Sequence, residues 1–162
     1  YPIFAFEQDD CRFWGDDITL TARPTEELTF TAKGEWIRGR NVSHSTWLPF
    51  MPADRYTLGA QWTRSWGSTG RWQSRLSAEG MSVAKQTRFD PEHELVSDMP
   101  AGYFLLGLQG ELRYTLDARR SLRFLLSSEN TLNALYKEAS DRFRYYAHAR
   151  GANFSLRVLY KF

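Results

Sequence analysis

Hydrophobic and polar residues alternate along most of this chain with a period of two. In the last segment Phe154, Leu156, Val158, Tyr160 and Phe162 are apolar, while Asn153, Ser155, Arg157 and Lys161 fill positions between them. Successive side chains of a strand point to opposite faces, so the pattern predicts a strand with one apolar and one polar face. The same alternation sets Phe104, Leu106, Leu108, Leu112, Tyr114 and Leu116 against Gln109, Glu111, Arg113 and Thr115, and Leu122, Phe124 and Leu126 against Arg123 and Ser127. Upstream, Tyr56, Leu58, Ala60 and Trp62 alternate with Thr57, Gln61 and Thr63; Leu28, Phe30, Ala32 and Trp36 with Thr29, Thr31, Lys33 and Glu35; Ile18, Leu20 and Ala22 with Asp17, Thr19 and Thr21. Trp72, Leu76 and Ala78 alternate less cleanly with Gln73, Arg75, Ser77 and Glu79. With the β-type opening over residues 1–6, the pattern predicts about eight strands. Only 131–139 carries enough helix formers to suggest a helix, and Asn133 weakens that reading.

These strands run to roughly 10 to 14 residues, longer than the globular mode of about 5 to 6 and close to the ~9 to 11 that cross a bilayer at a tilt. The connections alternate in size: 24–27, 67–70 and 117–120 are tight, and 41–54, 84–101 and 133–152 are long. Short turns at one end and long loops at the other are the organisation of an outer-membrane barrel. Trp62, Trp66, Trp72, Tyr114, Tyr160 and Phe162 then fall toward the turn end, and Trp36, Trp47, Tyr103 and Phe104 toward the loop end, as two interfacial girdles require.

Composition fits once the two faces are separated. The 162 residues are 42% hydrophobic, 15% aromatic and 25% charged, and the low mean hydropathy averages a lipid face with a wet one. No apolar run approaches the ~18 residues of a spanning helix. A net charge of +2 does not point to nucleic acid, and the single Cys11 excludes an internal disulfide framework and a multi-thiolate metal site. Without a charged, apolar, cleavable start, the chain reads as a mature protein or a piece of a longer one.

The run Asn130-Thr131-Leu132-Asn133-Ala134-Leu135-Tyr136, then Arg150-Gly151-Ala152-Asn153-Phe154, then Val158-Leu159-Tyr160-Lys161-Phe162, resembles the end of TonB-dependent outer-membrane receptors. In that family "N-L-x-N-x-x-Y" closes the penultimate strand, "P-G-R-x-F" opens the last and "Y-x-F" ends the chain. Phe13-Trp14-Gly15 is similar to the family's "G-x-E" strand, and Leu48-Pro49-Phe50-Met51-Pro52-Ala53-Asp54-Arg55 to its "L-P-x-x-P-x-x-R" loop. The chain departs from the pattern at Arg150, where proline is usual, at Ala152, where arginine is usual, and at Ala139 or Ser140, where some subgroups carry histidine.

The resemblance implies an all-β, antiparallel transmembrane β-barrel, with residues 1–162 as the C-terminal part of a larger barrel whose plug and TonB box are absent from this chain. It further implies a multi-pass protein of the bacterial outer membrane that takes up a ferric siderophore, haem, cobalamin or similarly scarce nutrient. Partners expected on this basis are the plug and upstream strands, TonB through the missing N-terminal part, outer-membrane lipid and lipopolysaccharide, and the nutrient ligand. Phe154, Leu156, Val158, Tyr160 and Phe162 resemble the terminal signal read by the barrel-assembly machinery. No nucleic acid partner and no cofactor are expected.

Candidate chemistry lies in the long loops. Cations interleave with aromatics at Arg142, Arg144, Tyr145, Tyr146 and His148, a combination that suits a flat anionic ligand through charge-assisted hydrogen bonds and stacking. His44 and Trp47 are further ligand-contact candidates on another loop. His93, beside Asp90, Glu92 and Glu94, is a weak metal candidate, because adjacent residues of an extended loop point apart. No spacing brings a base to Ser43, Ser45 or another nucleophile, so the chain is expected not to be an enzyme. Inward-facing Arg75, Glu79, Glu111, Arg113 and Arg123 are expected to form a charged luminal network. The rival readings are a small self-contained outer-membrane structural or adhesion barrel, and a soluble ligand-binding barrel with its apolar face inward.

Overall fold

The computed structural model describes residues 8–92 and 99–162. In chain order the strands are β1 (Cys11–Ala22), β2 (Leu28–Asn41), β3 (Thr46–Trp47), β4 (Arg55–Trp66), β5 (Trp72–Val83), β6 (Tyr103–Thr115), β7 (Ser121–Glu129) and β8 (Asn153–Lys161). All pair antiparallel in one sheet of order β1-β2-β4-β5-β6-β7-β8, with β3 folded back on the end of β2. Each long strand pairs with its sequence neighbour, as tight turns at one end and loops at the other dictate.

Register carries the alternation across the sheet. Phe30, Ala60, Ala78 and Leu108 stand side by side on four successive strands, and the next row toward the turns is Leu28, Trp62, Leu76, Gly110, Leu126 and Leu156. The opposite face carries Thr29, Gln61, Ser77, Gln109, Ser127 and Ser155 in one row. From Tyr56 to Trp66 a strand advances ~33 Å along its axis, and at a tilt of ~40° this covers the ~25 Å of an outer-membrane apolar band.

Where a soluble protein hides its apolar face, this chain exposes it: Leu58 is 70% accessible, Leu156 69% and Leu20 66%. The accessible surface of 11900 Å² is far above the ~8300 Å² of a globular monomer of this mass. The soluble-barrel reading fails on this point. Burial is concentrated instead at the loop end, where Ala53, Val83, Met99 and Ala139 are packed with Gln86, Asn130 and Arg144.

The turns follow local chemistry. Gly67 and Gly70 adopt φ of 79° and 60° between β4 and β5, conformations that L side chains rarely enter. Between β6 and β7, the Asp117 carboxylate accepts from the backbone N–H of Arg119 and Arg120 and from the Arg120 guanidinium. Those three donors hold the Asp117 carboxyl down at about 2. The girdle at this end is continuous, since Trp66, Trp72, Tyr114, Leu122 and Tyr160 occupy one register row.

Residues 131–139 form turn and irregular backbone, in keeping with the weakness of the helix signal there: Asn133 takes a left-handed φ of 51°, and Asn130, just before the segment, one of 46°. A short 3-10 helix sits at Arg142–Tyr145, capped by the Asp141 side chain accepting from Phe143 N–H at 2.8 Å. The predicted opening strand over 1–6 lies outside the described residues.

Candidate functional site

Three connections build a lip over the loop end of the wall: 42–54, the described parts of 84–102, and 130–152. Gly39 on β2 permits the first to fold against the strand, because a Cβ there would meet Met51 Sδ at 2.9 Å and Leu48 Cδ1 and Phe13 Cε1 at 3.0 Å. Gly39 shares the polar, inward face of β2, so this loop leans over the barrel interior.

Asp54 ties the lip to the wall. Its carboxylate accepts two bonds from Arg38, at 2.6 and 2.9 Å, and one from Arg88 at 2.8 Å. Gln86, 1% accessible, donates to the carbonyls of Met51 and Pro52 at 2.8 and 3.0 Å and accepts from Arg88 N–H at 3.0 Å. One buried amide therefore satisfies three backbone groups from two loops.

Asn130 performs the same service between β7 and β8. Its Nδ2 donates to the carbonyls of Ala134 and Arg150 at 2.9 and 3.2 Å, and its Oδ1 accepts from Ala134 N–H at 2.8 Å. Asn133 Oδ1 accepts from Ala152 N–H at 3.0 Å and lies 2.7 Å from where a Cβ on Gly151 would stand. Both asparagines and the glycine of the terminal motif are thereby explained as a loop closure. Tyr136 completes it by packing its ring at a tilt on Tyr103 at 4.4 Å, its phenol pushed up by burial and by Glu138.

On this frame sits a cation and aromatic cluster. Arg144 is 4% accessible, with its guanidinium 4.9 Å from the ring centres of both Phe50 and Tyr145, and its Nη2 donates to Tyr145 Oη at 3.0 Å. Arg142 stands 5.5 Å from the Phe50 ring, and Tyr145 meets that ring edge-on. Phe50 itself is held at φ 58°, a strained conformation for a bulky side chain. The structure thus brings Arg142, Arg144 and Tyr145 together around Phe50, a residue whose part in the cluster the sequence does not signal.

Arg144 and Tyr145 are committed to packing, whereas Arg142, Tyr146 (81% accessible) and His148 are exposed. His44 is exposed on the β2–β3 hairpin, 3.4 Å from Asp9 Oδ1. Trp47 is half-buried between Trp14, at 6.3 Å, and the Arg40 guanidinium, at 5.8 Å. His93 lies outside the described residues, and among those described no group of three His, Cys, Asp or Glu is assembled to hold a metal.

The inward face has its own electrostatic order. Glu111 accepts from Arg123 Nε and Nη2 at 2.9 and 2.7 Å and lies 3.8 Å from Arg75 Nη1, so part of the expected luminal network is present. Toward the loops the facing charges are mainly acidic, with Asp17, Glu35, Glu79 and Glu129 against Lys33 and Arg55. Toward the turns Arg75, Arg113, Arg123, Arg157 and Lys161 face, among the described strand residues, one carboxylate, that of Glu111.

An antiparallel sheet with bilayer-length strands, an exposed apolar face, an aromatic girdle at its turn end and unequal connections is the wall of a transmembrane β-barrel. Among solved structures the chain is similar to the copper transporter OprC, with a TM-score of 0.73 and 20% identity over 95% of this chain and 24% of that one. The chain spans about a quarter of the length of OprC, and the likeness establishes the barrel fold. No protein-family model and no curated protein matches the chain.

Proposed function

We propose that this chain is a C-terminal wall segment of a TonB-dependent outer-membrane transporter in a bacterium, and that its loops help capture a scarce nutrient for energised uptake. The observation that carries the reading is the lip: a strained Phe50 caged by Arg142, Arg144 and Tyr145, on loops fastened to a bilayer-spanning wall and leaning over its interior. Strain of this kind persists only where the surroundings over-determine it, and it concentrates at functional positions. The similarity to a copper transporter supports a transport role, and the motif resemblance supports coupling to TonB.

Exposed cations beside aromatics favour a flat, anionic metal complex, such as a ferric catecholate or haem, through charge-assisted hydrogen bonds and stacking. On this reading the chain binds and guides; it makes and breaks no covalent bond. The plug, the remaining strands, TonB, the assembly machinery and lipopolysaccharide are the partners it implies. The edges support the larger barrel over a self-contained one: β1 and β8 do not pair with each other, and unpaired backbone groups in hydrocarbon each cost several kcal/mol.

Uptake by cells producing the intact protein tests the proposal, with labelled ferric siderophores, haem, cobalamin and copper supplied in turn. Accumulation of one of these that stops when TonB is removed is the expected result. Equal accumulation of every solute with and without TonB would indicate a passive pore and sink the reading.

A further inference from the structure

The turn end of the inward face holds more cations than carboxylates: Arg75, Arg113, Arg123, Arg157 and Lys161 stand there with Glu111. Arg113 and Arg123 stand directly opposite each other on β6 and β7, an arrangement in which like charges destabilise a strand pair. Ser121 and Lys161 form the neighbouring pair on β7 and β8. The nearby carboxylates are already engaged: Glu111 by Arg123 and Arg75, and Asp117 by Arg120. Arg113 Nε is buried with no hydrogen-bond partner, and Ser121 is 4% accessible. Beside them opens a cavity of about 510 Å³ lined by Arg113, Ser121, Arg123 and Lys161 together with Leu159, Tyr160 and Phe162.

A buried, unsatisfied guanidinium N–H costs free energy that an acceptor recovers, and an oxyanion accepts from several donors at once. We propose that Arg113, Arg123, Lys161 and Ser121 form an oxyanion-binding site at the turn end of the barrel interior. The ligand group is a phosphate or carboxylate that accepts from the Arg113 guanidinium and from the Ser121 hydroxyl, with Lys161 supplying a further charge. Arg123 contributes charge while remaining bonded to Glu111. Two sources carry this chemistry: a free anionic solute in the interior, and a group fixed in the intact protein, such as an acidic side chain or a bound lipid headgroup. The inference rests on the barrel fold and on the inward face, and it stands or falls apart from energised uptake.

The test uses the purified intact protein in detergent, with inorganic phosphate as probe and chloride of equal ionic strength as control. Unfolding midpoints are measured for the unsubstituted protein and for R113Q, with R113K as the charge-retaining variant. A free-solute site gives a saturable rise in midpoint with phosphate alone, and R113Q weakens the apparent affinity at least ~10-fold. A site already filled gives no response to phosphate, a lower midpoint in R113Q and recovery in R113K; delipidation then separates headgroup from side chain. No response to phosphate together with an unchanged or raised midpoint in R113Q overturns the proposal, because removing an uncompensated charge then relieves repulsion.

Discussion

The two ends of the wall are built by different rules. At the turn end, order comes from periodic side chains in register: Trp66, Trp72, Tyr114 and Tyr160 line up because their strands pair without a slip. At the loop end, order comes from single polar residues, Gln86, Asn130 and Asp54, each joining backbone or charge from separate segments. A repeated pattern tolerates the loss of one member, whereas a single buried amide serving three groups has no substitute. The wall should therefore respond to changes of face, and the lip to changes of single atoms.

The largest effect is expected where face is violated. Leu108→Arg places a cation near the middle of the lipid face and should cost roughly 2–4 kcal/mol, whereas Gln109→Arg, one residue away on the inward face, should cost under about 0.5 kcal/mol. Urea unfolding of the intact protein from lipid vesicles checks the pair, and equal costs would contradict the assigned faces. Next, Asn130→Ala removes three hydrogen bonds and should cost about 2–3 kcal/mol, with protease nicking confined to 130–152 while the strands stay protected. Nicking spread through the strands would make the two ends one cooperative unit.

A smaller contrast lies inside the cluster. Arg144→Ala removes two ring contacts, worth roughly 1–2 kcal/mol together, and should loosen the lip. Arg142→Ala removes one exposed ring contact, should cost under about 1 kcal/mol and, on the proposed function, should weaken nutrient binding by the intact protein. If Arg142→Ala leaves affinity intact, the exposed cation has no part in capture. The smallest effect concerns the turn end. The Asp117 carboxyl is held at about 2, below its ordinary value of 3.8, so its contribution is present above the ordinary range and fades as pH falls toward 2. Amide exchange at Arg119 and Arg120, corrected for intrinsic rates, should accelerate on acidification and do so already at neutral pH in Asp117→Asn; pH-independent protection would exclude the carboxylate as the acceptor.

How much of this was legible in the sequence follows from the same division. Every long strand from β1 to β8 is marked by period two, and the alternation of short and long connections places all of them antiparallel. The two-residue β3 carries too few positions to show a period. At the site, Arg142, Arg144, Tyr145, Tyr146 and His148 are visible as a composition of cations and aromatics, but which of them pack and which stay exposed depends on Phe50, some ninety positions away. Gln86 leaves no signal, since a buried glutamine and a solvated one look alike along the chain. Asn130, Asn133 and Gly151 are visible only as a motif; their left-handed φ values and close contacts supply the reason for it.

The inward charges have a consequence for anything that moves past them. Acidic residues gather toward the loops and cationic ones toward the turns, with an uncharged row of Thr29, Gln61, Ser77, Gln109, Ser127 and Ser155 between them. Such a wall is a fixed dipole laid along the barrel axis. For an anion it is a threshold followed by a descent, and added salt flattens both because screening within ~10 Å at 0.1 M shortens the reach of each charge.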